Sequence, residues 1–115
     1  MDGLAATDDG LMRIAVPLFG DRVSPHFGAS SRFLLIVAQA GKMVCRETLD
    51  SGLKDGWRLA RHLVALKVNK LVCGGIQRHH KQWLQRNGIL VVDNQRGPVE
   101  ALVTALMVSS STDER

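Results

Sequence analysis

A chain of 115 residues with 15 Lys and Arg against 11 Asp and Glu has a formal charge of +4 and a pI near 9.6, and is the size of one domain. Its 45% hydrophobic and 23% charged residues are ordinary for a globular chain, and no apolar run approaches the roughly 20 residues of a membrane span. Two cysteines in no C-x-x-C spacing, no tyrosine and scattered basic residues argue against a disulfide framework, a zinc finger and a stacking platform for nucleic acid, and leave a small anion as the partner suited to the positive charge.

Residues 1–11 read as a flexible leader, since Gly, Asp, Ala and Thr alternate there without a burial pattern. This acidic opening has neither the basic start nor the apolar centre of a secretion signal, which points to the cytoplasm. The folded domain is expected over 12–108, with a flexible polar tail at 109–115. Arg13-Ile14-Ala15-Val16-Pro17-Leu18 reads as a strand covered on both faces, with Pro17 near its end where a missing N–H costs least. Phe19 to Ser31 is a long loop, of a length more often functional than idle. Arg32 to Ala38 and Met43 to Leu49 are two strands joined by a glycine-containing turn, hence an antiparallel hairpin whose second strand lies at an edge.

After Ser51-Gly52 the apolar period changes from two to about 3.6, and Leu59, Leu63 and Leu66 share one side of a helix expected over Asp55 to Lys67. Lys70 to Cys73 is a short buried strand running into Gly74-Gly75. Gln77 to Asn87 is a helix stopped by Gly88, and Ile89 to Val92 is the fifth strand. Gly97-Pro98 opens a last helix, with Pro98 at its first position. The order β-β-β-α-β-α-β-α predicts an α/β fold, a five-stranded mixed sheet with helices packed on it. Ligands bind at the carboxyl ends of parallel strands beside a topological switch. That rule gathers the His26 loop, the Cys73-Gly74-Gly75 turn and the Asp93 to Gly97 loop around one crevice.

The loop stretch Ser24-Pro25-His26-Phe27-Gly28 displays an imidazole between a proline that presets the backbone and a glycine that permits a turn. A neutral imidazole is the commonest protein metal ligand. The competing account is a loop histidine that only closes the turn. Cys73, at the end of a buried strand, reads first as a small hydrophobe, and second as a thiolate helped by the helix start and Arg78. Gly74-Gly75 is either a plain turn or an approach that lets backbone N–H groups face an anion. Its spacing is not that of a nucleotide P-loop. His79 and His80 are adjacent on a helix and cannot chelate one ion as an i, i+4 pair does. His80 reads as packed with Ile76 and Leu84, Arg78, His79 and Lys81 as a solvated face, His62 as surface, and Cys45 as incidental.

Arg13-Ile14-Ala15-Val16-Pro17, Val23-Ser24-Pro25-His26-Phe27-Gly28, Val72-Cys73-Gly74-Gly75-Ile76 and Asn87-Gly88-Ile89, in that order, resemble the dinitrogenase iron-molybdenum cofactor biosynthesis family over roughly Met12 to Met107. The resemblance implies a ribonuclease H-like three-layer fold with helices on both faces of the sheet. It also implies a non-catalytic role in binding or carrying iron-molybdenum cofactor or a related molybdenum or iron-sulfur cluster, with His26 at the position that contacts the cofactor and Cys73 at one often occupied by cysteine. Where many relatives continue Gly-Gly-Ile with another glycine, this chain has Gln77-Arg78-His79-His80.

Taken together, the expectation is a carrier for an anionic cluster. His26 and Cys73 would be candidate metal ligands, and Gly74, Gly75, Arg22 and Arg78 would neutralise the anion. Its partners would be assembly or acceptor proteins, and it would be a monomer or weak homodimer. The alternative is a regulatory or interaction module that binds a small anion without metal. A hydrolase built on Asp21 and Asp93 is disfavoured, because the first strand has no acidic residue and two-metal chemistry needs clustered carboxylates.

Overall fold

The computed structural model describes residues 10–112, and their side chains as far as residue 107. The expected leader lies outside the described residues except for Gly10 and Leu11, and so does the end of the expected tail, 113–115. The strands are β1 (Met12–Phe19), β2 (Arg22–Val23), β3 (Arg32–Gln39), β4 (Lys42–Asp50), β5 (Lys70–Val72) and β6 (Leu90–Val92). The helices are α1 (Gly56–Ala65), α2 (Arg78–Arg86) and α3 (Val99–Thr112). Helix α3 therefore runs past Ser109, and Pro98 precedes its first residue instead of occupying it.

Five strands form the expected mixed sheet in the order β4-β3-β1-β5-β6, with β1, β5 and β6 parallel and β1, β3 and β4 antiparallel. The sixth strand is a correction. Phe19 to Ser31 is not all loop, because β2 folds back on β1 with Leu18 opposite Val23 and Phe19 opposite Arg22. Gly20 at φ +63 opens the two-residue turn between them, a conformation that costs glycine little.

Alternation along the strands sends side chains to two cores. Ala15, Phe33, Leu71 and Val91 join Leu59, Leu63 and Leu84 under α1 and α2, while Ile14, Val16, Leu34, Ile36 and Val72 join Val99 and Val103 under α3. The result is the ribonuclease H-like three-layer arrangement. The β3–β4 hairpin turns on Ala40 and Gly41, at φ 54 and 81, the pair of positive angles that a type I′ turn demands. Strand β4 is largely exposed at the sheet edge, as its open alternation predicts.

Local chemistry sets the helix ends. The Asp55 carboxylate accepts from the amides of Trp57 and Arg58 and so caps α1. Both α1 and α2 close in the same manner. Lys67 and Val68 donate to Val64 and Leu63, Gly88 and Ile89 donate to Gln85 and Leu84, and Val68 and Ile89 tuck into the core.

Candidate functional site

The switch in strand order falls between β1 and β5, where the chain leaves β1 for the His26 loop and β5 for the diglycine turn. Backbone hydrogen bonds join the two loops. The Phe27 amide donates to the Gly75 carbonyl and the Gly75 amide to the Pro25 carbonyl, each at 2.8 Å, so His26 and Gly75 form a parallel bridge. The buried Ser24 hydroxyl donates to the His26 carbonyl at 3.0 Å, and the Ser24 amide to that of Pro17 at 2.9 Å. Phe27, 1% exposed, anchors one side of the histidine in the α1/α2 core. The His26 backbone is thereby held extended (φ −137, ψ 125) while its side chain stays exposed.

Gly74 explains the closeness of the two loops. A Cβ there would stand 2.4 Å from the Ser24 carbonyl oxygen (Ser24 O), too close for any atom. At Gly75 the nearest atoms would be Pro25 O at 3.3 Å and His26 Nδ1 at 3.7 Å. The diglycine is thus a backbone seat for the His26 loop. The Gly75 amide, considered above as an anion donor, is already engaged by Pro25.

A cavity of about 630 Å³ opens beside this seat, lined chiefly by His26, Phe27, Gly56, Gly75, Gln77 and His80. Its lining carries no carboxylate and no thiol. Two helices start at it: Gly56 is the first residue of α1, and Gln77 immediately precedes α2 without capping it through its side chain. Neither helix has an acidic residue in its first turn. The start of α1 is already capped by the Asp55 carboxylate, whereas α2 has no side-chain cap; the partial positive charge of the uncapped α2 start is what favours an anion in the cavity.

Of the candidate ligand-binding residues read from the sequence, His26 and Gly75 line this cavity. Gly74 lies buried directly behind, and the Asp93 to Gly97 loop braces the seat from the back through Asn94 N to Gly74 O and Gln95 N to Cys73 O. Arg22 is exposed in β2, bridged to Pro98, and Arg78 is exposed at the start of α2; neither is in the lining. Cys73 is fully buried in the α1/α2 core. Burial, and next the charge of Asp93, push its thiol up to about 12, with Lys81 partly offsetting. A protonated thiol, not a helix-stabilised thiolate, stands there. Asp93 itself pairs with Lys81 at 3.2 Å.

Two cavity residues escaped the sequence reading. Gly56 falls within the helix expected over Asp55 to Lys67, and no local pattern marks it as part of a cavity. His80 is buried, as its helical face predicts, yet it also lines the cavity. Burial, and then neighbouring His79, lower its basicity, with Asp55 opposing. His62 departs from its expected surface placement: it is half-buried, edge-on to Phe33 with ring centroids 5.5 Å apart.

Residues 11–109 match the family described as dinitrogenase iron-molybdenum cofactor. The chain belongs to that family. Among relatives of this iron-molybdenum cofactor family member, the uncharacterized protein MJ0580 of Methanocaldococcus jannaschii is 33% identical over 46 residues, which spans 40% of this chain and 39% of that protein. The crystal structure of PH0822 superposes with a TM-score of 0.79 at 22% identity, over 85% of this chain and 92% of that one, a likeness of fold. The apo form of the orange protein from Desulfovibrio gigas does so with a TM-score of 0.69 at 27% identity, over 86% and 89%.

Proposed function

We propose that this protein binds an anionic metal-sulfur cluster, iron-molybdenum cofactor or a related molybdenum or iron-sulfur cluster, and passes it between assembly and acceptor proteins without catalysing a reaction. The observation that carries this reading is an exposed imidazole on a backbone pinned at both sides, in a cavity whose lining has no carboxylate and includes the residue before the uncapped start of α2. The backbone seat fixes where the His26 side chain leaves the chain, so the loop itself needs little ordering when a metal arrives. The uncapped start of α2 offsets the negative charge of the sulfides. Arg78, exposed and next in the chain to the lining residue Gln77, would add positive charge. One protein nitrogen on an open cavity also suits release, where a closed four-ligand site would retain its metal. Cys73 enters only if the core opens and its thiol loses a proton. The same acid-free cavity also supports the second reading, a module that takes a small anion without metal.

The test is anaerobic incubation of the whole chain with isolated iron-molybdenum cofactor, and separately with tetrathiomolybdate, followed by gel filtration and metal analysis. The expected result is molybdenum co-eluting with the wild type and falling at least tenfold in His26→Ala. Protein that retains no molybdenum from either cargo refutes the carrier and leaves the anion-binding module.

A further inference from the structure

His80 is an unusual buried residue. It is 8% exposed, edge-on to Trp57 with centroids 4.6 Å apart and tilted against Phe27 at 5.9 Å and His79 at 4.3 Å. Its ring lies over the bare Cα of Gly56, where a Cβ would sit 2.5 Å from Cε1 and 2.9 Å from Nε2. Aromatic faces and a glycine accommodate the carbons of an imidazole. They offer its nitrogens no hydrogen-bond partner, and among the described residues no hydrogen bond reaches either one, so the open cavity is the side from which a partner can come. Buried polar groups are nearly always satisfied, and one that is not calls for an explanation. A phenylalanine would fill this space without the penalty of a stranded donor and acceptor.

The side chain lines the same cavity as His26. The two imidazoles come from different segments, and each rests against a glycine that gives it room, His80 on Gly56 and His26 beside Gly75. We propose that His80 is a second protein ligand to the cluster, so that the cavity acts as a two-imidazole clamp. This deepens the carrier reading and rests on it. Each imidazole would donate a nitrogen lone pair to a metal and displace one exchangeable ligand, with no electron transferred and no charge added to the cluster. Such a clamp selects sulfide clusters that present two open metal positions. It discriminates against a closed thiometallate such as tetrathiomolybdate, whose metal is already enclosed by sulfide.

The test compares wild type, His26→Ala and His80→Phe, each loaded anaerobically with isolated iron-molybdenum cofactor, by retained metal and by nitrogen couplings in pulsed EPR. Protein labelled with ¹⁵N-histidine identifies which couplings are imidazole. The expected result is two imidazole couplings in the wild type and one in His80→Phe. The variant should bind at least tenfold more weakly yet melt no lower than the wild type, and the wild type should bind the cofactor at least tenfold more tightly than tetrathiomolybdate. A wild type that shows a single coupling, lost only in His26→Ala, overturns the clamp and leaves the carrier standing. That count decides the matter even where His80→Phe fails to fold. A wild type that retains no cofactor overturns both.

Discussion

Replacing Gly74 with alanine tests the seat on which the site depends. The new Cβ would lie 2.4 Å from Ser24 O, 2.8 Å from Pro25 O and 2.9 Å from Pro25 C, all backbone atoms. Relief needs a displacement of about 1 Å to restore van der Waals separation. The His26 loop cannot yield freely, since Gly75 N holds Pro25 O and Pro17 O holds Ser24 N. Overpacking costs about 1–3 kcal/mol, and distorting these two hydrogen bonds adds about 1 kcal/mol each. The smaller entropy of the unfolded alanine chain returns about 0.4–1 kcal/mol. The net expectation is a loss of about 3 kcal/mol, or roughly 12 °C in melting temperature at about 4 °C per kcal/mol.

Gly75→Ala is the internal control. Its Cβ meets Pro25 O at 3.3 Å and His26 Nδ1 at 3.7 Å, contacts that small adjustments absorb for less than about 1 kcal/mol. Urea denaturation followed by circular dichroism, with the slope checked for constancy, measures both variants. The reasoning fails if Gly74→Ala lies within about 0.5 kcal/mol of wild type, or if Gly75→Ala is the more damaging of the two.

Three further outcomes follow from the same structure. At pH 8 iodoacetamide should modify exposed Cys45 and spare buried Cys73 until the protein is unfolded; equal labelling rates would contradict the burial. The folded Cys73 thiol keeps its proton to about 12 against an ordinary 9.0, so its contribution to stability is whole below pH 9 and declines as the pH rises through that interval. The decline is at most about 4 kcal/mol, and Cys73→Ala should flatten that part of the curve. Lys67, at φ 62, ends α1 where glycine is the usual residue, and Lys67→Gly should stabilise by about 0.5–1 kcal/mol in the same urea assay. A fall in midpoint would show that its side chain matters more than its backbone.

Strands β1 and β3 to β6, the Ala40-Gly41 hairpin and the Gly88 stop were legible in the chain because each is written in residues within a few positions of one another. Period, cap and turn chemistry act locally. The Ser24 to Gly28 stretch was legible for the same reason, and with the diglycine motif it led to the right family. What local pattern does not carry is which surfaces meet. Strand β2 exists only because the chain after Gly20 folds back on β1. Cys73 has a protonated thiol because two helices close over it, and His80 reaches the cavity because α1 brings a glycine, not a side chain, against α2. Each outcome depends on contacts between segments far apart in sequence, where side-chain bulk and desolvation decide, and no period of two or 3.6 records them.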